Sequence, residues 1–129
     1  MAGFGRTGKW FAYQHSSVQP DLIVFAKGVT SGYLPLGGVV ITDKIAETFN
    51  DRVFPGGLTY SGHPLACATA IATIDVMKSE KMVENAEMIG EKVIAPALHE
   101  LSKKHKMIGD IRWRNSGEFA LAHLLATNE

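Results

Sequence analysis

The sequence predicts an α/β fold. Three observations carry that prediction. Residues 22–26, Leu-Ile-Val-Phe-Ala, form an unbroken apolar run. A second short apolar run follows at residues 37–42, and two helical patterns follow Pro64. With 129 residues the chain holds one domain's worth of core at most. Two or three strands are few for a self-contained sheet, so the pattern reads as an α/β fragment.

Each element has its own justification. Residues 1–20 read as loop, punctuated by Gly3, Gly5 and Gly8 and closed by Ser16, Ser17 and Pro20. The run at 22–26 predicts a strand buried on both faces. Lys27 and Gly28 end it, and residues 29–35 form a turn with Gly32 and Pro35. Residues 37–42 predict the second buried strand. Asp43 is placed to cap a short helix over residues 44–49. Residues 50–63, with Pro55, Gly56, Gly57 and Gly62, read as loop. Pro64 suits the first turn of a helix running to Ser79, where Ile71, Ile74 and Met77 would pack inward. A further helix spans residues 81–104, with Met82, Ala86, Ile89, Val93, Ala97 and Leu101 as its apolar face and Pro96 forcing a kink or break. Residues 107–113 are a possible strand; residues 117–126 fit either class.

Composition excludes several functions. Thirteen basic and thirteen acidic side chains balance, and no basic stripe exists. Nucleic acid and acidic membranes are therefore excluded as main partners. No apolar run approaches the roughly 20 residues of a membrane span. The single cysteine, Cys67, excludes an intrachain disulfide and a cysteine metal cluster. The five histidines show no metal-ligand spacing. A reducing compartment such as the cytoplasm fits this usage.

Three segments carry candidate chemistry. Gly3-Phe-Gly-Arg-Thr-Gly8-Lys9 matches glycine patterns whose amides cradle phosphate, but position 10 is Trp where a phosphate loop needs Ser or Thr. Lys27 follows five apolar residues at a strand's C-terminal end, where open α/β sheets place their sites. A desolvated lysine amine there is a nucleophile toward aldehydes; the competing reading is that the strand ends at residue 26 and Lys27 reaches water. Gly57-Leu-Thr-Tyr-Ser-Gly-His-Pro64 sets Thr59 and Ser61 hydroxyls ahead of a helix N-terminus, which suits either a phosphate ester or an ordinary cap by Ser61.

In this order and spacing these segments, together with Trp10-Phe-Ala12, His15, the stretch Pro20 to Gly28 and Gly32-Tyr-Leu-Pro-Leu-Gly-Gly38, closely resemble the class III aminotransferases. These are fold-type I enzymes that use pyridoxal 5′-phosphate. The resemblance runs from about residue 2 to residue 112, and the Pro55-Gly-Gly-Leu-Thr-Tyr run is most similar to ω-amino acid–pyruvate transaminases. It implies part of a mostly parallel large-domain sheet with helices over residues 1–79. It also implies a connecting helix and the start of a small domain over residues 80–129. The implied reaction moves an amino group from an amine or ω-amino acid to a 2-oxo acid such as pyruvate. Lys27 matches the lysine that joins the cofactor aldehyde and then carries the substrate's proton. Thr59 matches the threonine that holds the cofactor phosphate of the partner subunit in a homodimer, and Gly57 lies where that loop approaches substrate. The early glycine loop then packs near the site rather than on a nucleotide.

The resemblance also carries an expectation about activity. The family's aspartate that pairs with the pyridine nitrogen lies before its Gly-Phe-Gly-Arg-Thr-Gly motif, and this sequence starts at Met1-Ala2. The upstream phosphate turn, the ring-stacking aromatic and the small-domain arginine are likewise not among its residues. After Arg112 the sequence reads Trp113-Arg-Asn-Ser-Gly117 where the family has glycine and apolar residues. The expectation is a transaminase segment that acts as part of a longer enzyme and has no independent activity. Two alternatives stand beside it: an inactive truncated fragment that acts by interaction or not at all, and a phosphate-loop nucleotide binder.

Overall fold

The computed structural model describes residues 2–109 and residue 111. The described residues divide into two compact units, residues 17–79 and residues 2–16 with 80–109 and 111.

In the unit of residues 17–79, β1 (Leu22–Ala26) pairs antiparallel with β2 (Gly37–Ile41). The register sets Leu22 opposite Ile41, Val24 opposite Val39 and Ala26 opposite Gly37. The described part of the sheet is thus a two-stranded antiparallel piece, not a parallel one. The reason is the short connection: residues 27–36 reverse the chain in a turn, whereas a parallel pair needs a crossover of a dozen residues or more. Phe25 lies over Gly38, its registered partner, where an added Cβ would come within 2.5 Å of the ring. The expected burial on both faces is not found. Val24 is 78% exposed and Leu22 55%, while Ile23 and Phe25 are half-buried.

The short helix α1 (Asp43–Glu47) is capped by Thr42, not by Asp43. The Thr42 carbonyl accepts hydrogen bonds from the Ile45 and Ala46 amides at 3.0 Å, while its buried hydroxyl has no partner. Asp43 is instead the first helical residue, where a carboxylate complements the helix dipole. The long helix α2 runs from Pro64 to Ser79. Its buried face is Ala66, Ala70 and Met77, while Ile71 points outward. Small residues face inward because α2 packs closely on the turn after β1, whose Val29 and Thr30 are buried.

In the other unit, residues 2–16 form a closed loop. Gly3 bridges to Phe11, the Ala12 amide donates to the Ala2 carbonyl at 2.9 Å, and Phe4 meets Phe11 edge-on with ring centres 5.3 Å apart. Helices α3 (Met82–Ile89) and α4 (Ala95–Lys104) are joined without a break by a wide π turn, Gly90–Ile94. Pro96, in the first turn of α4, accounts for it. Proline has no amide to bond the Lys92 carbonyl and its ring crowds that oxygen, so the backbone widens there. The widening also rotates the inner face. Of the expected face, Ala86 and Ile89 are half-buried, but Met82, Val93, Ala97 and Leu101 are exposed; from the end of the π turn onward the half-buried positions include Ile94, Leu98 and Ser102. A wide turn stretches the repeat to four residues, which carries the face onto neighbouring positions. Residues 107–109 and 111 form no strand; the rest of the proposed 107–113 strand and residues 117–126 lie outside the described residues.

Candidate functional site

Lys27 is the residue at which β1 ends. It opens a single 3-10 turn, Lys27–Thr30, and its backbone takes the left-handed conformation at φ 52°. A non-glycine residue held there is strained, and such strain gathers at functional positions. The side chain is exposed, so among the described residues Lys27 reaches water rather than a closed pocket. Ser31 (φ 50°) and Gly32 (φ 80°) continue the reversal, with the Ser31 amide donating to the Gly28 carbonyl at 3.2 Å. Thr30, which the sequence reading passed over, is only 1% exposed, and its hydroxyl donates to the Leu34 carbonyl at 2.6 Å. The available signal was a hydroxyl residue inside a glycine-bearing turn, a type that bonds nearby backbone.

Thr59 and Gly57 lie in a loop whose residues 51–62 are all exposed. Ahead of them Arg52 sits 5.1 Å over the Phe49 ring, and Phe49 meets Phe54 edge-on at 5.2 Å. The loop then takes two tight turns into α2: the Ser61 amide donates to Leu58 at 3.0 Å and the His63 amide to Tyr60 at 3.2 Å. The His63 carbonyl accepts the first helical bond, from the Cys67 amide at 3.0 Å, so Ser61 lies two residues ahead of the cap position and does not fill it. An added Cβ at Gly57 or Gly62 would meet nothing within 4 Å. Lys27 and Thr59 therefore share a unit but stand on separate open segments of it.

The donor set fits pyridoxal 5′-phosphate in chemistry. An accessible primary amine on a strained turn suits an aldehyde, and a hydroxyl with open backbone ahead of a helix N-terminus suits a phosphate. The Gly3–Gly8 loop does not fit a phosphate. The Gly8 amide donates to the Gly5 carbonyl at 3.0 Å and the Gly5 amide to the Trp10 carbonyl at 3.4 Å, so both amides are spent within the loop. His15 Nε2 bonds the Thr7 carbonyl at 2.8 Å, the Thr7 side acting as acceptor. Cys67 is a half-buried free thiol on α2. Among the described residues, no three His, Cys, Asp or Glu side chains gather as a metal would require.

Comparison with known proteins gives a consistent result. The family model for class-III aminotransferases matches residues 1–126. The putrescine–pyruvate aminotransferase of Pseudomonas aeruginosa is 42% identical over 113 residues, covering 87% of this chain and 25% of that one. An S-selective transaminase from Arthrobacter sp., solved with alanine bound, superposes with a TM-score of 0.82 at 45% identity, over 88% of this chain and 24% of that one. The taurine:2-oxoglutarate aminotransferase of Bifidobacterium kashiwanohense, in complex with PLP and glutamate, gives 0.81 at 44% identity, over 88% and 25%. The chain spans about a quarter of the length of these relatives. The match of a family model to nearly the whole chain, with relatives above 40% identity, shows that it belongs to the class III aminotransferases.

Proposed function

We propose that this chain supplies the cofactor lysine and the phosphate-holding loop of a pyridoxal 5′-phosphate-dependent transaminase. Its reaction moves an amino group from an amine or ω-amino acid to a 2-oxo acid such as pyruvate. The observation that carries the reading is Lys27 itself: a lysine at the end of β1, on a strained turn, with an accessible amine, in a chain of this family. The amino donor class and pyruvate as acceptor are taken from relatives such as the putrescine–pyruvate enzyme.

Pyridoxal phosphate, when bound, supplies an aldehyde that holds the substrate nitrogen and a ring that accepts the electrons left at the substrate carbon. The protein's part is binding and proton transfer. Lys27 Nζ would be the covalent anchor for that aldehyde, and its free amine would take the proton from the substrate Cα and hold it for return. The Thr59 hydroxyl and amide hold the phosphate. In the homodimer this reading implies, Thr59 serves the partner's cofactor and Gly57 leaves room for substrate beside it. Residues 1–79 then belong to the cofactor-binding large domain, and residues 80–129 to the connecting helix and the start of the small domain. No helix among the described residues is long and apolar enough to cross a membrane. We place the reaction in the cytoplasm, on the lone-cysteine composition.

Borohydride trapping tests the reading. After incubation of the transaminase that contains this chain with pyridoxal phosphate and reduction, peptide mapping should find the label on Lys27, and Lys27→Ala should lose both the label and, by about four orders of magnitude, the turnover. Label spread over surface lysines and unchanged in Lys27→Ala would falsify it.

A further inference from the structure

The turn that presents Lys27 contains its own lock. Lys27 and Ser31 both hold left-handed backbone conformations that side chains resist, and Gly32 adopts a third at φ 80°. Strain of this kind persists only where the surroundings over-determine it. Two backbone bonds, Ser31 to Gly28 at 3.2 Å and Tyr33 to Thr30 at 3.0 Å, begin the closure. A side-chain tie is added by the Thr30 hydroxyl, three residues after Lys27, which donates to the Leu34 carbonyl at 2.6 Å. Thr30 is also the most deeply buried side chain among the described residues, and the turn it belongs to packs on α2. One hydroxyl therefore ties the last residue of the 3-10 turn that Lys27 opens to the segment that follows it, from within a turn that packs on the long helix.

We propose that Thr30 is a positioning residue for Lys27. By holding the Leu34 carbonyl, its hydroxyl fixes the backbone from which the Lys27 amine projects. Proton transfer needs Nζ within about 2.6–3.2 Å of its target, so a loosened turn should cost turnover more than substrate affinity. The inference rests on the assignment of Lys27 above.

The test uses the transaminase of the proposed function that contains this chain, loaded with pyridoxal phosphate, with Thr30→Val removing the donor at constant shape and Thr30→Ser keeping it. Thr30→Val should still take the borohydride label on Lys27. Its kcat should fall about 10- to 100-fold with KM within about twofold, the scale of a small misplacement of a reacting group. The pH midpoint of the bound cofactor's visible absorption should be displaced. Thr30→Ser should restore both values to within about threefold of the unsubstituted protein, since it keeps the hydroxyl donor. If Thr30→Val accumulates only as insoluble protein, Thr30→Ala carries the same expectation. Unsubstituted kcat and midpoint in a labelled donor-less variant overturn the proposal alone, as does a Thr30→Ser as impaired as Thr30→Val. No label on Lys27 in the unsubstituted protein overturns the Lys27 assignment and this proposal with it.

Discussion

Two glycine-rich loops in this chain read alike as sequence and behave oppositely as structure. In residues 2–11 the glycines serve closure. Gly5 and Gly8 spend their amides inside the loop, and Gly8, buried at φ 74°, lies so close to α3 that an added Cβ would come within 2.9 Å of the Glu87 backbone. Lys9 then reaches the Glu87 carboxylate at 2.7 Å. In residues 57–62 Gly57 and Gly62 have open space where a Cβ would sit, and Tyr60 beside them is 76% exposed. The difference teaches that a glycine motif marks a ligand site only where its amides and its free space are left unused. The first loop is a structural clasp. The second has the accessibility that a shared phosphate site requires.

Substitutions can sharpen or break that contrast. The largest effect is expected at Gly8. Gly8→Ala combines a left-handed backbone with a clash against helix backbone, and should lower stability by about 2–4 kcal/mol. A thermal melt unchanged from the parent would mean that the clasp is not seated on α3. A smaller effect, of a different kind, is expected from Thr59→Val. Loss of one hydrogen bond to a charged phosphate should raise the dissociation constant for pyridoxal phosphate about tenfold or more, with the melting temperature of the apoprotein unmoved. Equal cofactor affinity by titration would remove Thr59 from the site. The smallest is Gly57→Ala, which meets no atom and should change stability by less than about 0.5 kcal/mol. A large loss of stability there would show that the loop is packed rather than open.

Much of the local structure was legible. The unbroken run from Leu22 to Ala26 is β1, and the helix expected from Pro64 to Ser79 is α2 with those bounds. Pro96 does disturb the last helical segment, because a missing amide acts wherever the residue stands. The faces were less legible. Val93 and Leu101 belong to an ideal helical stripe, yet the π turn passes the inner face to Ile94 and Leu98. The capping of α1 by Thr42 rather than Asp43 is a shift of one residue, settled by which carbonyl accepts the first helical bonds. At the candidate site, Lys27 and Thr59 were visible as residue types in a family pattern. Thr30 was not, because a buried hydroxyl tied across a turn has no periodic signature.

By itself, the sequence determined the family, the positions of β1, β2 and α2, and the candidate residues Lys27, Gly57 and Thr59. Apolar runs, proline and glycine act over a few residues, and a motif is a local pattern. Only the tertiary structure decided that β1 and β2 run antiparallel, that Lys27 sits exposed on a strained turn, and that one glycine loop is closed while the other is open. Those outcomes depend on which groups from distant positions meet in space, and burial and hydrogen-bond partnership belong to that meeting rather than to any single stretch of chain.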